Sequence, residues 1–497
     1  MEKRVRMRDL NKQEWLLIIM ISILTFILVY SPHLNYHYPM HIDEWHHLGQ
    51  AIKLYEGGYS WGWGATEFGF HAFLAGLSLF VDILKNYQYF AAIWAVVTGL
   101  ILFWVVYKKS EGEFEIALFA MIFFASIKSN INLLGLWFFT PLSFVVPFIF
   151  LYVYFFTEGV ERENRKYLLI SLGLMLLVIF IHSISLLFAI PFLLIYCIIR
   201  WKKVLKQWKI FSVFFAVPLV GILFYSFILK MNFINAFIEI IRFMEFKYGW
   251  GVSEQDNSFF EIYSLIGYAF ALIGTWVLLF KKKIGGSQAY LLWPVCVLAM
   301  IFVFRIWDVS YLSPYQRNMY YFVLTMPLLS AFGLGWLIEM INGVIDSVVN
   351  GIDRKEMYKG ILMVVVIFGM LVLIFVSYFN IPDGFKPYAV ADDGGFQALE
   401  FLKGLPQGTV MAPVSISSAM FPVSRKNPVA MMFSYGDRAQ VEKFFAAKDC
   451  MNMTSILREN NANYVLFKNN ETSTNGGAGC NWTNLYNEGN YTIYKFK

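Results

Sequence analysis

Apolar residues fall along the chain in long blocks separated by short charged or aromatic segments, a pattern that predicts membrane-spanning helices. The first block runs from Trp15 to Tyr30. Others lie near residues 67–84, 87–107, 114–127, 133–156, 167–181, 184–200, 210–229, 260–280, 288–306, 319–340 and 359–379. Several are shorter than the roughly 20 residues of a perpendicular span, so their ends are placed only to within a few residues. The basic stretch MEKRVRMRDLNK precedes the first block and no small-x-small cleavage site follows it, which predicts a retained signal-anchor.

Loop charges then set the sidedness. Basic clusters stand at 107–109, 162–166, 200–209 (RWKKVLKQWK), 281–283 and 354–359. If every apolar block crossed the membrane, RWKKVLKQWK would face outward, against the excess of Lys and Arg in cytoplasmic loops. One early block must therefore stay on one side. The block near 67–84, containing FGFHAFLAGLSLFVDIL, is short and carries Gly69, His71, Gly76 and Asp82. Laid in the outer interface, it leaves about 11 transmembrane helices, a cytoplasmic N-terminus and an extracytoplasmic C-terminus. The external regions are then a first loop at 31–86, residues 230–259, a short link at 305–318, and the tail from about Asn380.

The tail reads differently. After the Pro/Gly/Asp-rich linker NIPDGFKPYAVADDGG, FQALEFLKGL has helical spacing and GTVMAPV the look of a strand. RAQVEKFFAAK and MTSILRENN read as helices, ANYVLFK and YTIYKFK as strands. The division is a multispanning domain over 1–379 and a soluble α/β domain over 380–497. All four N-x-S/T sequons, at Asn452, Asn470, Asn481 and Asn490, lie in this tail, as expected of an extracytoplasmic segment and also of chance in an Asn-rich one. Cys450 and Cys480 are a candidate disulfide pair in an oxidising compartment. Cys197 and Cys296 lie inside apolar blocks and read as small buried hydrophobes.

Composition agrees with the pattern and narrows it. The chain is 58% hydrophobic and 15% charged, against about 25% charged for a soluble domain. That excludes a cytosolic globular enzyme, a disordered protein and a nucleic-acid partner. The formal charge of +6 belongs to the topological clusters rather than to an acidic partner.

Candidate chemistry gathers outside. Six of the 7 histidines (His33, His37, His41, His46, His47 and His71) lie in the first external loop. From Ile42 to Tyr55 the spacing is helical, with Trp45, Leu48, Ile52 and Tyr55 on one stripe and Asp43, Glu44, His46, His47, Gln50 and Lys53 polar. Such a helix is expected to lie in the membrane interface, with two carboxylates at its N-terminus. One reading makes those acids simple caps. A second makes Asp43 and His47, at i and i+4 with His41 nearby, ligands of a divalent metal, Mn or Mg ahead of Zn. The loop aromatics Tyr36, Tyr38, Trp45, Tyr59, Trp61 and Trp63 fit an interfacial belt or a sugar-stacking surface.

The link RIWDVSYLSPYQRNMYYF carries Arg305 and Arg317 at the ends of two spans. A boundary Arg either snorkels to headgroups or holds a phosphate in a bidentate grip. His182, in IHSIS, either faces the same cavity or ends a helix. External carboxylates and external cations together suit transfer of a sugar from a lipid phosphate. The leaving phosphate needs charge stabilisation, and the acceptor needs a base that takes its proton. Attack opposite the phosphate inverts the anomeric carbon.

On these residues the chain resembles the GT-C superfamily of membrane glycosyltransferases. That group includes protein O-mannosyltransferases, aminoarabinose lipid A transferases and the catalytic subunit of oligosaccharyltransferase. The likeness rests on the first external loop with its Asp43-Glu44 pair, the non-crossing block near 67–84, the span order and the external α/β tail. It implies an α-helical polytopic membrane protein with a juxtamembrane interfacial helix pair and a C-terminal soluble α/β domain. It further implies Asp43 as the acceptor-activating base, Glu44 as its partner or an orienting group, and Arg317, then Arg305, on the donor phosphate. The donor would be a polyprenyl- or dolichyl-phosphate sugar in the membrane, and the acceptor a protein, glycan or lipid at the plasma membrane or on the ER lumen side. Two features depart from oligosaccharyltransferase: WWDYG is absent from the tail, where GTVMAPVSISSAM stands, and the turn KSNINLL (128–134) has no acidic pair. Single-sugar transfer therefore fits better. The alternatives are a transporter or lipid flippase, which calls for ionisable residues in mid-span, and a noncatalytic receptor that gives Asp43 no role. The near absence of charge within the spans favours surface chemistry.

Overall fold

The computed structural model describes residues 10–59, 67–130, 133–228, 230–243, 245–247, 258–281, 284–379, 390–431, 436–468 and 480–496. The chain divides into two compact units, one of Met1–Ser31 with Phe90–Lys386 and one of Pro32–Tyr89 with Pro387–Lys497. The segment expected as the first loop thus groups with the tail.

The first unit is a bundle of apolar helices, as expected of an integral membrane protein. Among the described residues seven helices are long and apolar enough to cross a membrane: Lys12–Asn35, Ile83–Lys109, Pro141–Glu161, Arg165–His182, Ser287–Trp307, Tyr315–Val348 and Ile352–Val376. The other expected blocks are shorter apolar helices at Phe114–Ala125, Ile184–Ile199, Trp208–Leu223 and Leu265–Phe280. Asn11 and Glu14 form a capping box that starts the first helix, Asn11 accepting from the Glu14 N–H at 2.9 Å and Glu14 from the Asn11 N–H at 2.7 Å.

The expected block at 133–156 begins its helix only at Pro141, the first helical residue, where proline is favoured. Before it the chain turns tightly. Ser129 Oγ accepts from the N–H groups of Leu136 (2.6 Å) and Trp137 (3.0 Å), and Asn130 Oδ1 from that of Leu133 (2.8 Å). Gly135 sits at φ +90° with no room for a Cβ beside Ser129. Helices Leu265–Phe280 and Tyr315–Val348 pack backbone to backbone, because a Cβ on Gly274 would strike the Leu329 carbonyl and one on Gly333 the Phe270 carbonyl.

Charges knit one end of this unit. Lys109, fully buried, meets Glu158 at 2.6 Å, and Arg162 reaches the other Glu158 oxygen at 2.5 Å. Glu161 holds Arg200 at 2.7 Å and Lys203 at 2.6 Å, and Lys109 also donates to the Gly285 carbonyl at 2.9 Å. Members of the clusters at 107–109, 162–166 and 200–209 therefore meet at a single end of the helices.

The second unit carries a five-stranded sheet in the order Asn427–Pro428, Thr409–Met411, Ala462–Lys468, Tyr491–Lys495, Thr483–Glu488. The first three strands run parallel, and the last two form an antiparallel hairpin against them. Ala462–Lys468 is almost continuously buried, as a central strand covered on both faces must be. Helices Arg438–Ala446 and Cys450–Glu459 supply Val441, Phe444, Ile456 and Leu457 to its core. Cys450 and Cys480 are joined by a disulfide with Cα atoms 5.4 Å apart.

The first loop folds onto this domain. Tyr36 donates to the Ala391 carbonyl at 2.8 Å, and Tyr38 stacks on Phe396 with centroids 4.3 Å apart. Helix Ile42–Glu56 lies against helix Val414–Ser424, Gly49 facing Pro422 and Lys53 standing 4.7 Å over the Phe421 ring. Val414–Ser424 stands where the sequence suggested the end of a strand. Near 67–84 the structure has a ten-residue helix, Phe68–Leu77. At 1.5 Å per residue it is about 15 Å long, half the thickness of a hydrocarbon core.

Candidate functional site

Helix Ile42–Glu56 positions the acidic part of the candidate site. Trp45, Leu48 and Ile52 of the expected stripe are buried, as is Ile42, whereas Tyr55, in the last turn before the left-handed cap Gly57, is 64% exposed. Two residues of the polar face, Glu44 and His47, are buried as well.

The two neighbouring carboxylates differ in their surroundings. Glu44 is 1% exposed and accepts the backbone N–H groups of Met40 (2.8 Å) and His41 (3.0 Å). His41 completes the capping box, its Nδ1 accepting the Asp43 N–H at 3.1 Å. Asp43 keeps 36% of its side chain exposed, with a carboxylate oxygen 3.6 Å from His41 Nδ1. Glu44 therefore braces the helix start, and Asp43 is the carboxylate that a solute can reach. Burial lowers the pKa of His46, with Asp43 acting against that effect and Lys53 adding to it.

Of the expected metal set Asp43, His47 and His41, only His47 belongs to a group with ligand-like spacing. His41 and Asp43 are engaged in the cap. Among the described residues, the group whose donor atoms lie within 4.8 Å of one another is His47, Glu67 and His71. His47 Nδ1 is 3.0 Å from His71 Nε2 and 3.7 Å from a Glu67 oxygen, and Tyr59 OH is 2.8 Å from His71 Nδ1. Burial, reinforced by the Glu67 charge, raises the Tyr59 pKa. Glu67 and His71 stand at i and i+4 across the start of helix Phe68–Leu77, a ligand spacing that sequence reading passed over.

The cationic residues sit in the first unit. Helix Arg165–His182 starts beside the ion-paired end and has 18 residues, which carries His182 about 27 Å away along the bundle. There His182 Nδ1 lies 2.6 Å from Ser185 Oγ, which lies 2.7 Å from Tyr321 OH. Tyr321 is one turn beyond Arg317 on the same helix, so Arg317 belongs to this opposite end. Arg317 is half-buried, and the turn before it is pinned by Asn318, whose amide donates to Ser310 Oγ at 3.0 Å and the Ser313 carbonyl at 3.2 Å. Arg305 ends its own helix at the same side, with Nε donating to Tyr315 OH at 3.0 Å and the guanidinium 4.9 Å over Phe259. Val309–Tyr311 of this link pairs antiparallel with Glu245–Lys247. Glu254 and Asp256, within residues 230–259, fall outside the described residues. Of the sequons, Asn452, Asn481 and Asn490 are exposed, and Asn470 falls outside the described residues.

No protein-family model matches the sequence, and no curated protein matches it. Solved structures do match by shape. ArnT from Cupriavidus metallidurans, solved bound to undecaprenyl phosphate, aligns at TM-score 0.57 and 11% identity over 98% of both chains. The Archaeoglobus fulgidus oligosaccharyltransferase, in complex with Zn and sulfate, aligns at 0.54 and 12% identity over 90% of this chain and 67% of that one. The chain has a GT-C-like fold. The arabinofuranosyltransferase AftD from Mycobacteria also aligns, at 0.54 and 12% identity, but this chain spans 40% of its length. The polytopic helical architecture with a small α/β sheet agrees with the sequence expectation.

Proposed function

We propose that this GT-C-like protein is a glycosyltransferase that moves a hexosyl or pentosyl group from a polyprenyl- or dolichyl-phosphate donor to a protein, glycan or lipid acceptor. The observation that carries the reading is the end-to-end likeness, over 98% of both chains, to ArnT bound to undecaprenyl phosphate. In this reading Asp43 is the base. Its exposed carboxylate takes the acceptor's proton as the acceptor oxygen or nitrogen attacks the anomeric carbon. The lipid phosphate leaves from the opposite face, so the configuration inverts. Glu44 orients Asp43 by fixing the helix start on which it stands. Arg317, with Arg305, stabilises the departing phosphate, whose charge grows as the bond breaks. His182 supports the Arg317 helix through Ser185 and Tyr321.

We place the reaction on the extracytoplasmic side, with the N-terminus cytoplasmic. Three features support this: Lys109, Arg162, Arg200 and Lys203, from three of the basic clusters, share one end of the helices, the tail carries a disulfide, and its described sequons are exposed. The experiment is transfer from a panel of labelled polyprenyl-phosphate sugars by wild-type protein, Asp43→Asn and Arg317→Ala. Transfer by wild type that both substitutions abolish is expected. Full activity in Asp43→Asn removes the assignment of the base, and no transfer from any donor by the folded wild type removes the reading.

A further inference from the structure

We infer that His47, Glu67 and His71 form a zinc site that ties helix Ile42–Glu56 to helix Phe68–Leu77. The inference concerns the same first-loop unit as the proposed reaction but does not depend on that reading, because metal is read without transfer.

Geometry comes first. Ligand atoms 2.0–2.1 Å from a tetrahedral zinc stand roughly 3.3 Å apart. The two imidazole nitrogens are 3.0 Å apart, and His47 Nδ1 is 3.7 Å from the Glu67 oxygen. These two separations bracket the spacing required, and all three donor atoms lie within 4.8 Å of one another. The site is also built into the interior, with His71 0% and His47 6% exposed. Two neutral imidazoles cannot face each other through two lone pairs, so either a proton or a cation lies between them. A shared proton accounts for the two rings, and the Glu67 oxygen on the same point supplies the third donor that a divalent cation takes.

The surroundings point the same way. Tyr59 OH, 2.8 Å from His71 Nδ1, can accept its N–H, which leaves the lone pair on Nε2 directed at His47 and Glu67. Ligating histidines commonly carry such a partner on the other nitrogen, where it fixes tautomer and ring orientation. Two imidazoles and one carboxylate suit zinc, whereas Mg and Mn prefer sets made of oxygen. The donor set therefore departs from the Mn or Mg suggested by the acidic helix start alone. Three protein ligands leave a fourth position for water.

Full-length protein purified in detergent and passed through metal-free buffer is expected to retain about one zinc per chain by elemental mass spectrometry. His47→Gln and His71→Gln are expected to lose it, and Tyr59→Phe to bind about 10-fold more weakly. Because a His variant can fail to fold, the wild type provides a second reading. After chelation, added Co(II) is expected to give the visible absorption of a tetrahedral site, and zinc to abolish it. Asp43→Asn is expected to keep its zinc whatever its transfer activity, which separates this inference from the proposed function. Wild-type protein that holds no zinc and gives no tetrahedral Co(II) spectrum overturns the site. So does zinc retained at wild-type level in folded His71→Gln.

Discussion

Glu44 accepts the backbone N–H of His41 at 3.0 Å, closing the first turn of the helix whose next residue back, Asp43, has its side chain 36% exposed. Two adjacent acids of nearly identical chemistry are thereby given separate tasks. The buried one satisfies helix donors that would otherwise have no partner, and the exposed one is the carboxylate proposed here as the base.

That division predicts opposite phenotypes. Asp43→Asn keeps the shape and removes the base, so transfer should fall by about 10²–10⁴-fold with little change in thermal unfolding. Glu44→Gln retains an acceptor oxygen for the cap and should remain substantially active. Glu44→Ala should lower stability by about 1–2 kcal/mol. Transfer assays alongside melting curves in detergent check all three.

How much of this was legible beforehand depends on how local the signal is. Apolar blocks are local, so the order of the apolar helices followed from pattern, the short helix Phe68–Leu77 included. The turn before Pro141 did not, because it rests on Ser129 and Gly135, whose partnership depends on three-dimensional closure rather than periodicity. Helix Val414–Ser424 was hidden by its Val, Ser and Ile content and by Pro422, and it forms because helix Ile42–Glu56, from the far end of the chain, covers it. His47 and His71 were visible as part of a histidine-rich loop. Glu67 lies 20 residues from His47 and shares no helix with it, so only the fold brings the two together.

The tail's disulfide has a measurable consequence. Cys450 and Cys480 are separated by 30 residues, and closing a loop of that length restricts the unfolded chain by roughly 3–4 kcal/mol in the chain-entropy picture. Cys450→Ser should therefore make the tail markedly more sensitive to limited proteolysis while helix Tyr315–Val348 stays protected. Mobility on non-reducing gels should shift in the wild type on reduction and not in the variant.

Glycines in one long helix should respond differently. A Cβ on Gly333 meets the Phe270 carbonyl of the neighbouring helix, whereas Gly343 has nothing within 4 Å. Gly333→Val must push two backbones apart and should cost at least about 1–3 kcal/mol, seen as a lower melting temperature and poor recovery from detergent. Gly343→Ala should be neutral or stabilising by up to about 1 kcal/mol, because alanine is the better helix former.

The two arginines of the 305–318 link should be unequal, and the reason lies in what already holds them. Arg305 donates to Tyr315 and lies over Phe259, so part of its charge serves to fix the link. Arg317 starts the long helix, half-buried beside Tyr321 and the hydroxyl chain to His182. If Arg317 grips the donor phosphate, Arg317→Ala should cut kcat/KM by at least about 10²-fold. Arg317→Lys should recover only part, since an ammonium lacks the bidentate fork. Arg305→Ala should act mainly through stability and KM, with a loss nearer tenfold, about 1.4 kcal/mol. Kinetics with a labelled polyprenyl-phosphate sugar over a range of donor concentrations distinguish the two. An Arg317→Ala enzyme with wild-type kcat/KM would place the phosphate elsewhere.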